Sequence, residues 1–103
     1  MKAAYKNNPV KLRAVLDIVA EHYCVDVDSL LSRERYEPVA EARNMVMYVL
    51  LRQGTTQETA ASAVNREHGT AAAAYDTITN LMDTEPGTLE LFNTINQAVE
   101  ALP

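Results

Sequence analysis

Tryptophan is absent from this 103-residue chain, cysteine occurs once, glycine three times and proline four times. Each shortage excludes something. The lone Cys24 leaves no internal disulfide and no cysteine-based metal cluster, and it suits a reducing compartment, so a cytoplasmic location is expected. So few turn formers argue against an all-β architecture, which needs punctuation roughly every 8–12 residues. No stretch approaches the ~18 consecutive apolar residues of a bilayer-spanning helix, and no membrane partner is expected. The opening MKAAYKNNPVK has a basic start without the apolar core of a secretory signal. From residue 68 onward there is no Lys or Arg at all.

Apolar residues make up 48% of the chain, alanine prominent among them, which favours helix and is enough for one domain with its own core. The net charge of −5 is unevenly placed. Residues 1–32 carry four basic and four acidic groups, residues 33–67 five arginines and five glutamates, and the remainder five acids. The excess negative charge therefore lies in the C-terminal third. An acidic total is an unusual background for nucleic-acid binding, where affinity comes largely from neutralised phosphates.

Helix signals follow one another along the chain. Residues 1–8 read as an N-terminal arm and 9–103 as one helical domain. Asn8-Pro9 is a helix start, with Asn at the cap and Pro in the first position. Leu12, Val15, Leu16 and Val19 then recur at helical spacing, ending near His22-Tyr23. Asp26 or Asp28 caps a short turn of helix holding Leu30 and Leu31. After the polar stretch of Ser32, Arg33, Glu34, Arg35, Tyr36, Glu37 and Pro38, the third helix is the most apolar and should be the central one. Gly54 ends it. Thr55 or Thr56 caps a short helix reaching Val64, residues 65–69 form a polar break, and a fifth helix runs from about Thr70 to Met82. Thr84, Glu85, Pro86 and Gly87 read as a turn before a last helix from about Thr88. The expectation is an all-α domain of about six helices, with a helix-turn-helix over about 56–82.

Three segments carry a resemblance. Residues 19–23 (VAEHY) with 25–32 (VDVDSLLS), residues 39–50 (VAEARNMVMYVL), and residues 65–70 (NREHGT) followed by Ile78 are similar to the C-terminal DNA-binding domain, domain IV, of the bacterial replication initiator DnaA. There a helix ends in an aromatic residue before a short turn and a basic loop, a "vaxaRqxamyl" helix follows, and the signature reads "gRDHTTV…I". The resemblance spans about residues 11–102. It implies the Trp-repressor-like helical fold of that domain, and double-stranded DNA as partner, bound by a free-standing replication-initiator-like or regulatory protein, of the kind carried by phages or mobile elements.

Carried over residue by residue, the resemblance implies that Arg66 meets a phosphate or base edge and that Glu67 accepts from a cytosine amino group. His68 and Thr70 would hydrogen-bond a base or touch a thymine methyl. Arg33 and Arg35 lie in the basic loop, which reaches towards minor groove and backbone, and Arg43 is implied at a phosphate. The chain also departs from the pattern. Gly69 replaces the first signature threonine, Ala73 replaces a histidine, and Glu34, Glu37 and Glu41 stand where basic or neutral residues are usual. Fewer phosphate contacts follow from those departures.

Other chemistry has little support. Glu37 and Glu41 are spaced i,i+4 but no histidine has HExxH or ExxH spacing beside them, there is no Gly-rich phosphate loop, and His22 and Cys24 fall on different helix faces. No enzyme, metal or cofactor is expected. The alternative to DNA binding is a DnaA-like module that has lost it and uses the acidic stretch from 76 to 100 for a protein partner. The purely structural reading of Arg66 is a surface pair with Glu67 or Glu58, worth little energetically.

Overall fold

The computed structural model describes residues 8–103, so all but Asn8 of the N-terminal arm lies outside the described residues. Six helices follow in order: α1 (Pro9–Tyr23), α2 (Val27–Leu31), α3 (Val39–Arg52), α4 (Gln57–Ser62), α5 (His68–Thr84) and α6 (Pro86–Glu100). Among the described residues there is no strand.

Local chemistry sets most of the boundaries. The Asn8 side chain accepts from the Lys11 N–H at 3.1 Å and Pro9 takes the first helical position, so Asn8 caps α1 as its sequence signal expects. Cys24, left-handed with φ 58, closes the helix. Asp26 precedes α2, and the Thr56 hydroxyl accepts from the Thr59 N–H at the start of α4. Gly54, with φ 95, follows the Gln53 cap of α3.

Two boundaries differ from the sequence reading. The helix expected from Thr70 begins at His68, because Glu67 is extended and its carbonyl already accepts from the Thr70 N–H at 2.9 Å. The turn expected over 84–87 shrinks to Glu85: Pro86 cannot continue α5 but is suited to open α6, and Gly87 lies within that helix's first turn.

Helix α3 touches each of the other five. Every residue from Met45 to Leu50 is buried, as the unbroken apolar pattern requires. One apolar cluster draws on all six helices, with Val15, Leu30, Met47, Ala60, Ile78 and Ile95 among its members. Tyr48 bridges α5 and α6 through Tyr75, 4.7 Å away centroid to centroid, and Phe92, 5.1 Å away and edge-on at 80°. The Gln53 amide donates to Asn96 at 3.2 Å and to the Glu100 carboxylate at 2.7 Å, tying the end of α6 to the end of α3. No helix among the described residues is long and apolar enough to cross a membrane. The packing leaves α4, residues 63–67 and α5 as a helix-turn-helix, with the loop 32–38 alongside it.

Candidate nucleic-acid interface

A five-residue helix such as α2 cannot satisfy its own last carbonyls, and side chains from distant segments do so here. Arg43, on α3, donates from Nε to the Leu30 carbonyl at 2.9 Å and from Nη2 to that of Ser29 at 2.8 Å. Its Nη1 donates to the Glu34 carbonyl, also at 2.8 Å. The Asn65 amide donates to Leu31 O at 3.0 Å, and Arg66 Nη2 to Ser32 O at 3.0 Å. Arg66 Nη1 reaches back to Val64 O at 3.2 Å. Cationic groups at a helix C-terminus also meet the negative end of its dipole, so the arrangement is favourable twice over.

The result is a cleft of about 340 Å³ between the loop, α3 and the start of α5. Six of the seven residues singled out in the sequence line it: Arg33, Arg35, Arg43, Arg66, Glu67 and Thr70. Asn44 and Asn65, which sequence reasoning passed over, line it too. The seventh, His68, is exposed as the first residue of α5 and lies outside the cleft lining.

Arg43 departs from its expected place at a phosphate. It is only 4% exposed and each guanidinium nitrogen donates to a backbone carbonyl, so it holds the loop from inside. Arg33 and Arg35 are exposed, whereas Arg66 is half-buried at the turn. Among the described residues none of these four arginines is ion-paired, so the surface pairing considered for Arg66 with Glu67 or Glu58 is not formed.

The glutamates that neighbour these arginines in sequence are turned to other uses. The Glu37 carboxylate accepts from the Glu41 N–H at 3.1 Å, satisfying an amide in the first turn of α3. Glu41 in turn accepts from the Tyr23 hydroxyl at 2.7 Å. Glu34 accepts from the Tyr36 hydroxyl at 3.2 Å. None of the three lines the cleft, where Glu67 is the one carboxylate among the lining residues.

Four cations line the cleft with one anion, and their mutual repulsion adds to burial in lowering two of the guanidinium pKa values. Burial, then the neighbouring Arg66, lowers the Arg43 pKa below the usual arginine value, Glu34 opposing and Arg35 adding to the effect. Burial, then Arg33 and Arg35, does the same to Arg66. Arginine stays protonated through such shifts, so the cleft keeps a positive potential that suits an anion.

Fold and site together define a helix-turn-helix domain with a basic cleft beside its turn. Residues 12–78 match the bacterial DnaA protein helix-turn-helix family, and the chain belongs to that family of DNA-binding domains. The matched span runs from the first turn of α1 to Ile78 in α5 and includes every cleft residue, leaving α6 outside. A comparison with curated proteins returns no match.

Proposed function

We propose that this protein binds double-stranded DNA by setting the exposed first turns of α5 in a major groove. Arg33 and Arg35 then brace the flanking backbone or minor groove. The observation that carries this reading is the convergence of Arg33, Arg35, Arg43 and Arg66 on one cleft with a single carboxylate among its lining residues. Arg33 and Arg35, exposed and without a carboxylate partner, are the phosphate contacts. Arg66 combines an anchoring bond with a contact at the groove edge. Glu67 accepts from a cytosine amino group, while His68 and Thr70 meet base edges or a thymine methyl. Arg43 serves from behind, by fixing the loop. The role is non-enzymatic, replication-initiator-like or regulatory, in a bacterial cytoplasm.

The test is a mobility-shift titration of the chain with random and DnaA-box duplexes across a salt series. Binding at low salt should weaken as salt rises. Replacing both Arg33 and Arg35 by Ala should flatten the log–log salt slope by roughly 1.8, from about 0.9 per phosphate neutralised. A wild-type chain that shifts neither duplex at low salt, or one indifferent to Arg66→Ala and His68→Ala, overturns the reading and leaves a protein-binding module.

A further inference from the structure

We propose that Asn65 is a positioning residue for DNA binding: its amide latches the arginine-bearing loop to the turn of the helix-turn-helix. The inference rests on the DNA-binding reading above and adds to it a device that organises the two contacting elements as one surface.

Asn65 stands in the left-handed region, with φ 58, at the middle of the turn between α4 and α5. Gly is the residue with least to lose there, and among the others Asn adopts this conformation most readily. What Asn adds to Gly is a side-chain amide, and here that amide crosses to the Leu31 carbonyl at 3.0 Å, 34 residues back in the chain. The next residue, Arg66, takes the next carbonyl, that of Ser32, at 3.0 Å. Two successive turn residues thus grip two successive backbone groups at the point where α2 gives way to the loop. Beyond them, Arg43 secures the Glu34 carbonyl.

The consequence falls on Arg33 and Arg35. The backbone is fastened at 31, 32 and 34, while the side chains at 33 and 35 both line the cleft. Both residues already line the cleft, so fastening the backbone on either side of Arg33 and just before Arg35 holds the two guanidinium groups on that one surface. A loose loop would have to be ordered at the moment of binding, and that ordering weakens affinity without altering how many phosphates are met. Asn65 is neutral and itself exposed, so its effect is separable from that of the charges it helps to place.

Asn65→Gly is the discriminating variant because it tolerates the left-handed backbone, keeps the net charge and removes the side chain that carries the amide. Wild type and variant are titrated with the duplexes described above at moderate and low salt. Backbone order at residues 33–35 is measured without DNA by nitrogen-15 relaxation. The expected result is about five- to thirty-fold weaker binding with the salt slope retained. Order parameters in the loop should drop from near ~0.85 towards ~0.6, and the melting temperature should stay within a few degrees of wild type. Equal affinity in the two proteins, or an equally ordered loop, overturns the proposal. If wild type binds neither duplex, the DNA reading fails together with the effect on affinity. The relaxation data then judge the latch alone, an unchanged loop overturning it as well.

Discussion

The arginine cleft and the far end of the α5–α6 hairpin are two regions of opposite character in one small molecule. In the cleft, Arg33, Arg35, Arg43 and Arg66 face a single lining carboxylate. At the far end Asp83, Glu85 and Glu90 are exposed in a segment without any Lys or Arg. Fifteen residues of α5 separate His68 from Asp83, about 22 Å at the helical rise. That distance is well over the ~8 Å screening length at physiological salt. A net charge of −5 therefore says little about the sign of the potential at the cleft. What decides it is which groups line the cleft: Glu37, on an α3 amide, and Glu41, on Tyr23, stay out of the lining while the arginines enter it.

The comparison can be broken most severely at Arg43. Arg43→Ala strips the donor from three carbonyls, those of Ser29, Leu30 and Glu34, two of them at the end of α2. A loss of about 3 kcal/mol is expected, seen as a fall of roughly 15 °C in thermal melting. Unchanged melting with weakened DNA binding would return Arg43 to the role of an open phosphate contact.

Tyr23→Phe is a smaller intervention on the glutamates. Losing the bond to Glu41 should cost about 1 kcal/mol in denaturant unfolding. Burial first, then the Glu41 hydrogen bond and charge, raises the Tyr23 pKa above that of a free phenol. The folded state therefore holds this proton more tightly than the unfolded chain. The resulting stability is complete below pH ~10 and declines as pH rises beyond it. Wild type should lose stability faster than the variant in that alkaline range, and parallel curves would show that folding does not raise the Tyr23 pKa.

The least effect is expected at the other end. Neutralising Asp83, Glu85 and Glu90 as Asn, Gln and Gln should change affinity for duplex DNA less than about twofold at physiological salt, given the screening over that distance. An increase comparable in size to the loss from the Arg33 and Arg35 replacements would show that the two regions are not independent, and that overall charge governs binding after all.

Much of the fold was legible in the sequence because helix signals are local. Asn8 and Pro9, the apolar spacing in α1 and the unbroken apolar α3 each declare themselves within one or two helical turns. The exceptions are also local: Pro86 is as good a helix opener as it is a breaker, and the turn around it contracted to one residue. Of the candidate site, the membership was readable and the roles were less so. The motif pointed to Arg43, but its burial follows from carbonyls contributed 9 to 14 residues away in the chain. Asn65 was missed because its partner is 34 residues distant. The signal that was available is an Asn in a polar break, a residue type that tolerates the left-handed conformation found there. Gly69 was read as a loss, and it is one that space does not impose: a Cβ there would meet nothing within 4 Å.

By itself the sequence determined six helices, their order and the helix-turn-helix, since capping and apolar periodicity act between residues at most a few positions apart. Tertiary structure alone decided which charges add and which are withdrawn. Arginines from two loops and a helix reach one cleft while the adjacent glutamates bond elsewhere. An electrostatic potential is a sum over distances in space, and those distances exist only once the chain has packed.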